Sequence, residues 1–338
     1  MNHPSDAALI LDLIEAFRRS KAMFTAVKLG IFESLAESPK PLSDLAEKLA
    51  LHPGALLRLL SGCLSLGLLH NENGVYFNTP AADRFLTLSS PDTLAGYIDY
   101  SDQSLYKLWG GLENAVRSGT NRWEEVFGSR SALFDHYFRD DKAAASFLGG
   151  MHGFGQQASP SVVAAFDLSP FNALVDLGGA TGHLCIAACE RWPHLEATVL
   201  DLPLVEKFAN GYIRHSSVAD RIHFQAADFF SEPLPPADLY SLGRILHDWT
   251  DQKIRTLLGK IVASLPSGGG LLIAETLLSD DKSGPVYSAM QDLNMLVCTE
   301  GRERTRAEYR ELLHAAGFAT VNFKETGSLV DAILAIKG

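Results

Sequence analysis

A run of about eighteen apolar residues, enough to span a bilayer, occurs nowhere in this sequence, so no membrane segment is expected. Cysteine is scarce: the 338 residues include 4, too few and too irregularly spaced for a disulfide framework. Cys185 and Cys189 stand one helical turn apart, but no neighbouring His or Cys completes a metal tetrad, and they read as reduced core thiols. Positive charge is in deficit, with 29 Lys and Arg against 40 Asp and Glu. The resulting net charge of −11 argues against a nucleic-acid partner, which needs a basic surface to displace counterions. The N-terminus lacks the basic segment, apolar core and cleavage site of a secretory signal. Internal repeats and low-complexity segments are missing too. The expectation is a cytoplasmic protein of ordinary globular composition, long enough for about two domains.

Residues 1–100 read as helices separated by short breaks. On the first helix Ile10, Leu13, Ile14 and Phe17 share one face, opposite Asp12, Glu15 and Arg19. Helices over 20–35 and 42–50 follow, with Ser43 a candidate N-cap before Glu47. After His52-Pro53-Gly54 comes a helix over 55–66. Apolar runs at 68–70 and 75–77 flank Asn71-Glu72-Asn73-Gly74, and an Asn-Gly pair between such runs predicts a hairpin. Three helices and a hairpin make a winged helix, a shape that invites a DNA-binding reading. The charges oppose it. Helix 55–66 carries only Arg58, and residues 1–100 hold eight Lys or Arg against eleven Asp or Glu, a net of −3. Dimerisation is the role expected instead. Residues 101–165 look like a helical connector rich in aromatics.

From Phe166 onward strands and helices alternate, the mark of a parallel sheet covered on both faces. The first of these strands runs into Asp176-Leu-Gly178-Gly179-Ala180-Thr-Gly182, a glycine-rich turn that opens a helix over 183–191. Such a turn lets a ligand approach the backbone closely, although alone it is weak evidence, since a purely structural tight turn is the alternative. Nineteen residues past Gly182, the run 197–200 ends in Asp201, where a doubly wound fold holds a ribose diol. A third run, 222–226, leads to Asp228-Phe229, a carboxylate and a ring suited to the amine and face of an adenine. A nucleotide-like ligand is therefore the better reading. The glycines at 178, 179 and 182 depart from the dinucleotide spacing G-x-G-x-x-G, and Asp176 would repel a pyrophosphate. S-adenosylmethionine has no phosphate and carries ammonium and sulfonium cations, so the acidic loop favours it over NAD.

Further strands are expected at 238–242 and 271–274, with an antiparallel pair over 320–324 and 331–336 closing the sheet edge. Arg244-Ile-Leu-His247-Asp248-Trp249 follows the fourth strand, and Glu275 closes the fifth, at the rim where open α/β sheets bind ligands. Glu303 comes after a helix over 286–297. One His and two acids make a candidate general base whose ring the carboxylates orient. A packed, hydrogen-bonded His at a helix start fits the same residues.

Taken together, Asp176–Gly182, Asp201-Leu202-Pro203, Asp228-Phe229, Arg244-x-x-His247-Asp248-Trp249, Gly268-Gly-Gly270, Glu275 and Gly301-x-Glu303-Arg304-Thr305 resemble the small-molecule O-methyltransferases of the acetylserotonin and caffeic acid type. The likeness covers nearly the whole chain. It implies an α/β protein: an N-terminal α-helical winged-helix dimerisation domain over 1–100, then over 101–338 a connector and a Rossmann-like S-adenosylmethionine-dependent methyltransferase domain. It also implies a homodimer acting on a small aromatic, hydroxylated substrate. By position it puts Gly178 at the methionine part of the cofactor, Asp201 at the ribose, and Asp228 and Phe229 at the adenine. Leu202, Arg244 and Phe138 fall on the cofactor side as well. His247 matches the catalytic base, and Glu275 and Glu303 the acids that flank it. Three positions depart. Ala180 replaces a glycine, while Phe138 and Gly155 stand where the acetylserotonin type resembles a Tyr and a Trp near the cofactor. Either Tyr137 or Phe154 takes up the lost contacts, or the substrate pocket differs.

A phenol, with a pKa near 10, is a poor nucleophile until its proton is taken. A neutral His247 is the expected acceptor of that proton, and no metal is required. Two rival readings are diverged chemistry on the same fold, such as hydroxylation or decarboxylation, and a winged-helix regulator. His247 with both glutamates speaks against the first, and the acidic N-terminal region against the second.

Overall fold

No residue between Asp6 and Lys28 breaks a helix. The computed structural model, which describes residues 6–128, 133–138 and 140–338, runs a single helix, α1 (Asp6–Lys28), through all of them. The boundary expected near residue 20 is therefore corrected. The break comes at Gly30, which takes a left-handed φ of 73° before α2 (Ile31–Glu37). A short strand β1 (Lys40–Pro41) leads into α3 (Leu42–Lys48), where Ser43 is no cap: its hydroxyl donates to Asp44 at 2.8 Å. α4 (Pro53–Ser65) starts properly capped, with Pro53 at its first position and His52 Nδ1 accepting the Ala55 N–H. β2 (Leu69–Glu72) and β3 (Val75–Asn78) form the expected hairpin. Asn73 and Gly74 both have positive φ, the type I′ turn that matches strand twist. β1 adds to the far side of β3, which makes a three-stranded sheet in the order β1-β3-β2.

These elements belong to the first of two compact units, Met1–Gln103 and Ser104–Gly338. Phe32, Leu35, Leu45, Leu56, Leu60 and Tyr76 are among the residues that build its core. The N-terminal part of α1 does not join that core. Leu9, Ile10, Leu11, Leu13, Ile14 and Phe17 are each more than half exposed.

In the second unit, short helices between 106 and 137 precede α5 (Asp141–Ala164), capped by Asp140 Oδ1 on the Ala143 N–H at 2.8 Å. Then strands and helices alternate: β4 (Ala173–Leu177), α6 (His183–Arg191), β5 (Glu196–Asp201), α7 (Glu206–His215), β6 (Ile222–Ala226), β7 (Leu239–Gly243), α8 (Asp251–Ser264) and β8 (Gly270–Glu275). After β8 come β9 (Leu277–Leu278), α9 (Val286–Cys298), β10 (Arg304–Thr305), α10 (Arg306–Ala316), β11 (Phe318–Lys324) and β12 (Asp331–Lys337). Seven strands form one sheet, ordered β11-β12-β8-β7-β4-β5-β6, with β12 and β11 antiparallel at the edge as expected. Strand alternation feeds two cores: Leu174 and Val199 face α6 and α7, while Val175 and Leu242 face α8 and α10. The order reverses between β4 and β7, and a crevice opens at such a switch. All four cysteines are buried and free. No described helix is long and apolar enough to cross a membrane.

Candidate active site

β4 delivers the chain to that crevice, and neighbours hold the turn that follows as much as its glycines do. Gly178 donates its N–H to Leu200 O at 2.8 Å, and a Cβ there would strike Ile245 at 2.6 Å. Ala180 takes a φ of 49°, uncommon for a residue with a side chain. Its N–H is donated to Asp201 Oδ2 at 2.8 Å, while Asp201 Oδ1 accepts the Leu202 N–H at 2.7 Å. One carboxylate at the tip of β5 thus braces the turn and makes an alanine tolerable in it. Behind the turn Asp176 is buried, and Ser241, its register partner on β7, donates to Asp176 Oδ1 at 2.7 Å. Burial, with the Asp201 charge adding to it, pushes Asp176 up to about 7. Burial likewise pushes Asp201 up to about 6.

Past β6, Asp228 closes its own loop, accepting the Phe230 N–H at 2.8 Å and the Ser231 hydroxyl at 2.9 Å. Phe229 adjoins the glycine turn, 3.4 Å from where a Gly178 Cβ would stand. Lys260 of α8 donates to the carbonyls of Phe229, Phe230 and Glu232 at 2.6, 3.0 and 2.7 Å, so all three of its N–H groups fix this loop. Sequence reasoning missed Lys260, which no local pattern connects to a loop about thirty residues away. Leu202 and Phe138 pack on the same apolar cluster as Ala180. Phe138 also lines a cavity of about 650 Å³ with Pro203, Leu204 and Phe208. Arg244, with a left-handed φ of 57°, lays its guanidinium over Phe154 at 4.2 Å from the ring centre.

The structure brings His247, Glu275 and Glu303 together from three separate segments. All three are buried, at 3, 0 and 1% exposure, so water cannot compensate their charges. His247 Nδ1 and Glu303 Oε1 share a hydrogen bond of 2.7 Å, and Glu275 Oε2 stands 3.3 Å from the same nitrogen. Glu275 Oε1 accepts the backbone N–H groups of Leu246 at 2.8 Å and His247 at 3.3 Å. Neither Glu275 Oε2 nor Glu303 Oε2 has a hydrogen-bond partner. Burial pushes Glu303 up to about 8 and raises Glu275 as well. Nε2 points elsewhere, 3.8 Å from Asp248 Oδ1, which burial lifts to about 6. One nitrogen and two carboxylate oxygens within 4.8 Å of one another are also spaced to bridge a cation. The 2.7 Å contact from Nδ1 to Oε1 is that of a hydrogen bond, which occupies the Nδ1 position a cation would need.

Two neighbours lock this arrangement. Arg304 is fully buried and donates to the carbonyls of Leu246, Trp249 and Arg302 and to Asp251 Oδ1, stitching the His247 loop to β10. Gly301 lies so close to that loop that a Cβ would stand 2.2 Å from His247 O and 2.6 Å from Trp249 N. Thr305 caps α10 in a reciprocal pair with Glu308. The run Gly301–Thr305 is thus one device that delivers Glu303 to the imidazole.

Residues 109–319 match the family model of an O-methyltransferase domain, and residues 11–88 that of an O-methyltransferase dimerisation domain. The chain belongs to the O-methyltransferase family. Acetylserotonin O-methyltransferase of Gallus gallus is 41% identical over 336 residues, 97% of either chain. The tetracenomycin polyketide synthesis 8-O-methyl transferase TcmO of Streptomyces glaucescens is 37% identical, covering 92% of this chain and 91% of its own. A crystal structure of human N-acetylserotonin methyltransferase in complex with SAM matches with a TM-score of 0.94 at 38% identity, over 100% of this chain and 99% of that one.

The methyltransferase takes S-adenosylmethionine as its cofactor, and the residues around the turn fit that group. Burial raises the proton affinity of both Asp176 and Asp201, so a positive charge brought beside them would be stabilised and would lower it again. The ammonium and sulfonium groups of S-adenosylmethionine would supply that charge.

Two outcomes follow for the methyltransferase, with stability read on the cofactor-free protein. Gly301→Ala forces two backbones apart, so it should cost about 1–3 kcal/mol of stability and lower turnover by displacing Glu303 from His247; thermal denaturation and turnover on one preparation check this. The second concerns pH. Asp176 and Glu303 hold protons to about 7 and about 8, against ordinary values of 3.8 and 4.5, so the folded state binds more protons in between and stability falls as pH rises. His152 and His183, pushed by burial down to about 4 and about 3, oppose this only below their ordinary 6.5. The melting temperature should therefore drop between about pH 6.5 and pH 8, and S-adenosylmethionine should raise it more at the upper end. A melting temperature that climbs over this interval would contradict the assignment.

Proposed function

We propose that this methyltransferase moves the methyl group of S-adenosylmethionine to a hydroxyl of a small aromatic molecule, with His247 Nε2 as the base. The observation that carries the proposal is the split environment of the imidazole: Nδ1 is bound at 2.7 Å by Glu303, and Nε2 has no hydrogen bond among the described residues. When bound, the cofactor presents an electrophilic sulfonium methyl. The chain's task is then to hold an acceptor oxygen in line with it and remove the hydroxyl proton. Glu303 keeps the Nδ1–H tautomer, which leaves a lone pair on Nε2. As that lone pair takes the proton, the imidazolium forms beside two buried acids that its positive charge draws into the ionised form, and their negative charge in turn favours it. The acceptor class is supported by relatives named for acetylserotonin and tetracenomycin synthesis.

On the cofactor side, we assign Gly178 to the methionine part, Asp201 and Leu202 to the ribose, and Asp228 and Phe229 to the adenine, with Arg244 and Phe138 beside them. Support comes from the shared rim of β4, β5, β6 and β7 and the contact of Phe229 with the turn. Four free, buried cysteines suit a reducing cytoplasm.

His247→Ala should lower the methyl-transfer rate by roughly 10²–10⁴-fold with cofactor affinity nearly unchanged. The loss should shrink for an acceptor acidic enough to ionise unaided. Glu275→Gln and Glu303→Gln should each do less harm. A folded His247→Ala protein that methylates an ordinary phenol at near wild-type rate would rule out the base.

We further propose a homodimer joined through the first unit. The matched dimerisation domain begins on α1, where six large apolar side chains lie open. Full burial from full exposure is worth about 1.5–3 kcal/mol per side chain, and each of these has a little over half of that left to gain. Sedimentation at micromolar concentration should show a dimer that Ile14→Asp with Phe17→Asp shifts toward monomer. An active wild-type monomer would contradict this.

A further inference from the structure

One face of α5 carries His152, Gly155 and Ser159, three and four residues apart, and that face meets the glycine turn. His152 Nδ1 hydrogen-bonds Thr181 Oγ1 at 2.8 Å, and its ring stacks on Tyr212 of α7 with centres 3.7 Å apart. His183, the first residue of α6, hydrogen-bonds Ser159 Oγ through Nδ1 at 2.9 Å. Between these ties the His183 ring lies on Gly155 so closely that a Cβ there would stand 2.3 Å from its Cδ2 and 2.4 Å from its Cγ. The ring fills the room that a side chain at 155 would need. Phe154, next in sequence, is engaged instead under the Arg244 guanidinium.

The reaction proposed above makes no use of this seam. We propose that Gly155 and His183 are a matched pair of positioning residues: the His183 ring, seated in the slot left by Gly155 and held by Ser159, clamps the glycine turn to α5 and sets the shape of the cradle for the amino-acid end of S-adenosylmethionine. This rests on the reading of that turn as the cofactor site. The chemistry of the pair suits its place. Burial pushes both imidazoles down, His183 to about 3 and His152 to about 4, so each is uncharged at neutral pH. Neutral rings brace the turn without repelling a cationic cofactor, as a Lys or Arg in the same slot would. The fit is also reciprocal. A methyl at 155 requires the ring to leave, and loss of the ring leaves a void that a methyl at 155 partly fills.

The test is calorimetric binding of S-adenosylmethionine and S-adenosylhomocysteine to the full-length, cofactor-free protein, with melting temperatures and steady-state kinetics on the same samples. Gly155→Ala should weaken both ligands about tenfold or more and raise KM for S-adenosylmethionine, with kcat at saturation near wild type. His183→Ala and Ser159→Ala should weaken binding less, by about threefold or more. The double variant Gly155→Ala with His183→Ala should bind more tightly than Gly155→Ala alone, because the clash is gone. If Gly155→Ala does not fold, His183→Ala and Ser159→Ala carry the same split between KM and kcat. Single variants that bind within about twofold of wild type, losses that simply add in the double variant, or a fall in melting temperature without a change in affinity would overturn the pair. A wild-type protein that binds neither ligand would instead strike the cofactor reading beneath it.

Discussion

Glu275 and Glu303 converge on one nitrogen of His247 in a region closed to water, and each keeps an oxygen without a hydrogen-bond partner. An unpaired buried polar atom costs on the order of 1–3 kcal/mol, more when charged. Two so close together would drive the structure to relax unless other contacts forbade it. Those contacts account for much of the local architecture. Glu275 is fixed at the end of β8 by the backbone N–H groups of Leu246 and His247. The Glu303 N–H is donated to Asp292 of α9 at 2.9 Å, and Arg304 pins the opposite loop. The two-residue strands β9 and β10 pair in parallel, which joins the ends of both glutamate segments.

The cofactor end of the crevice follows the same rule. Asp176 and Asp201, like Glu303 and Asp248, are held above their ordinary range by burial and sit near neutrality. Groups poised in this way cluster where a protein does chemistry. In this account both sets anticipate positive charge: the ammonium and sulfonium of the cofactor at one, the imidazolium of His247 at the other. Stability given up in the empty protein returns as affinity and as transition-state stabilisation.

Much of this was legible in the sequence because its signals are local. The turn Asp176–Gly182, the acids closing β5 and β8, the Asn73-Gly74 hairpin and the edge pair β11 and β12 each lie within a few residues, and the structure has them where periodicity and turn chemistry put them. The helix boundary near residue 20 failed because the apolar face of Ile10, Leu13, Ile14 and Phe17 is no measure of where the helix stops, and nothing before Gly30 breaks the backbone. β1 escaped because a two-residue strand containing Pro41 has no pattern to read. The site residues that escaped act at long range. Lys260 reaches carbonyls about thirty residues away, and Arg304 acts on a loop more than fifty residues before it. Gly155 had shown only as a missing side chain. That His183 fills the gap is a fact of packing, which one-dimensional spacing does not carry.

The central claim is that the two buried acids hold the His247 proton on Nδ1 and leave Nε2 free to accept another. Nitrogen-15 NMR of the histidine-labelled protein with S-adenosylhomocysteine bound, the His247 signals assigned by their loss in His247→Gln, reads that tautomer directly. The account predicts a protonated Nδ1 coupled to the Glu303 hydrogen bond and an unprotonated Nε2. A proton found on Nε2 would contradict it, since that nitrogen would have no lone pair for the acceptor's hydroxyl.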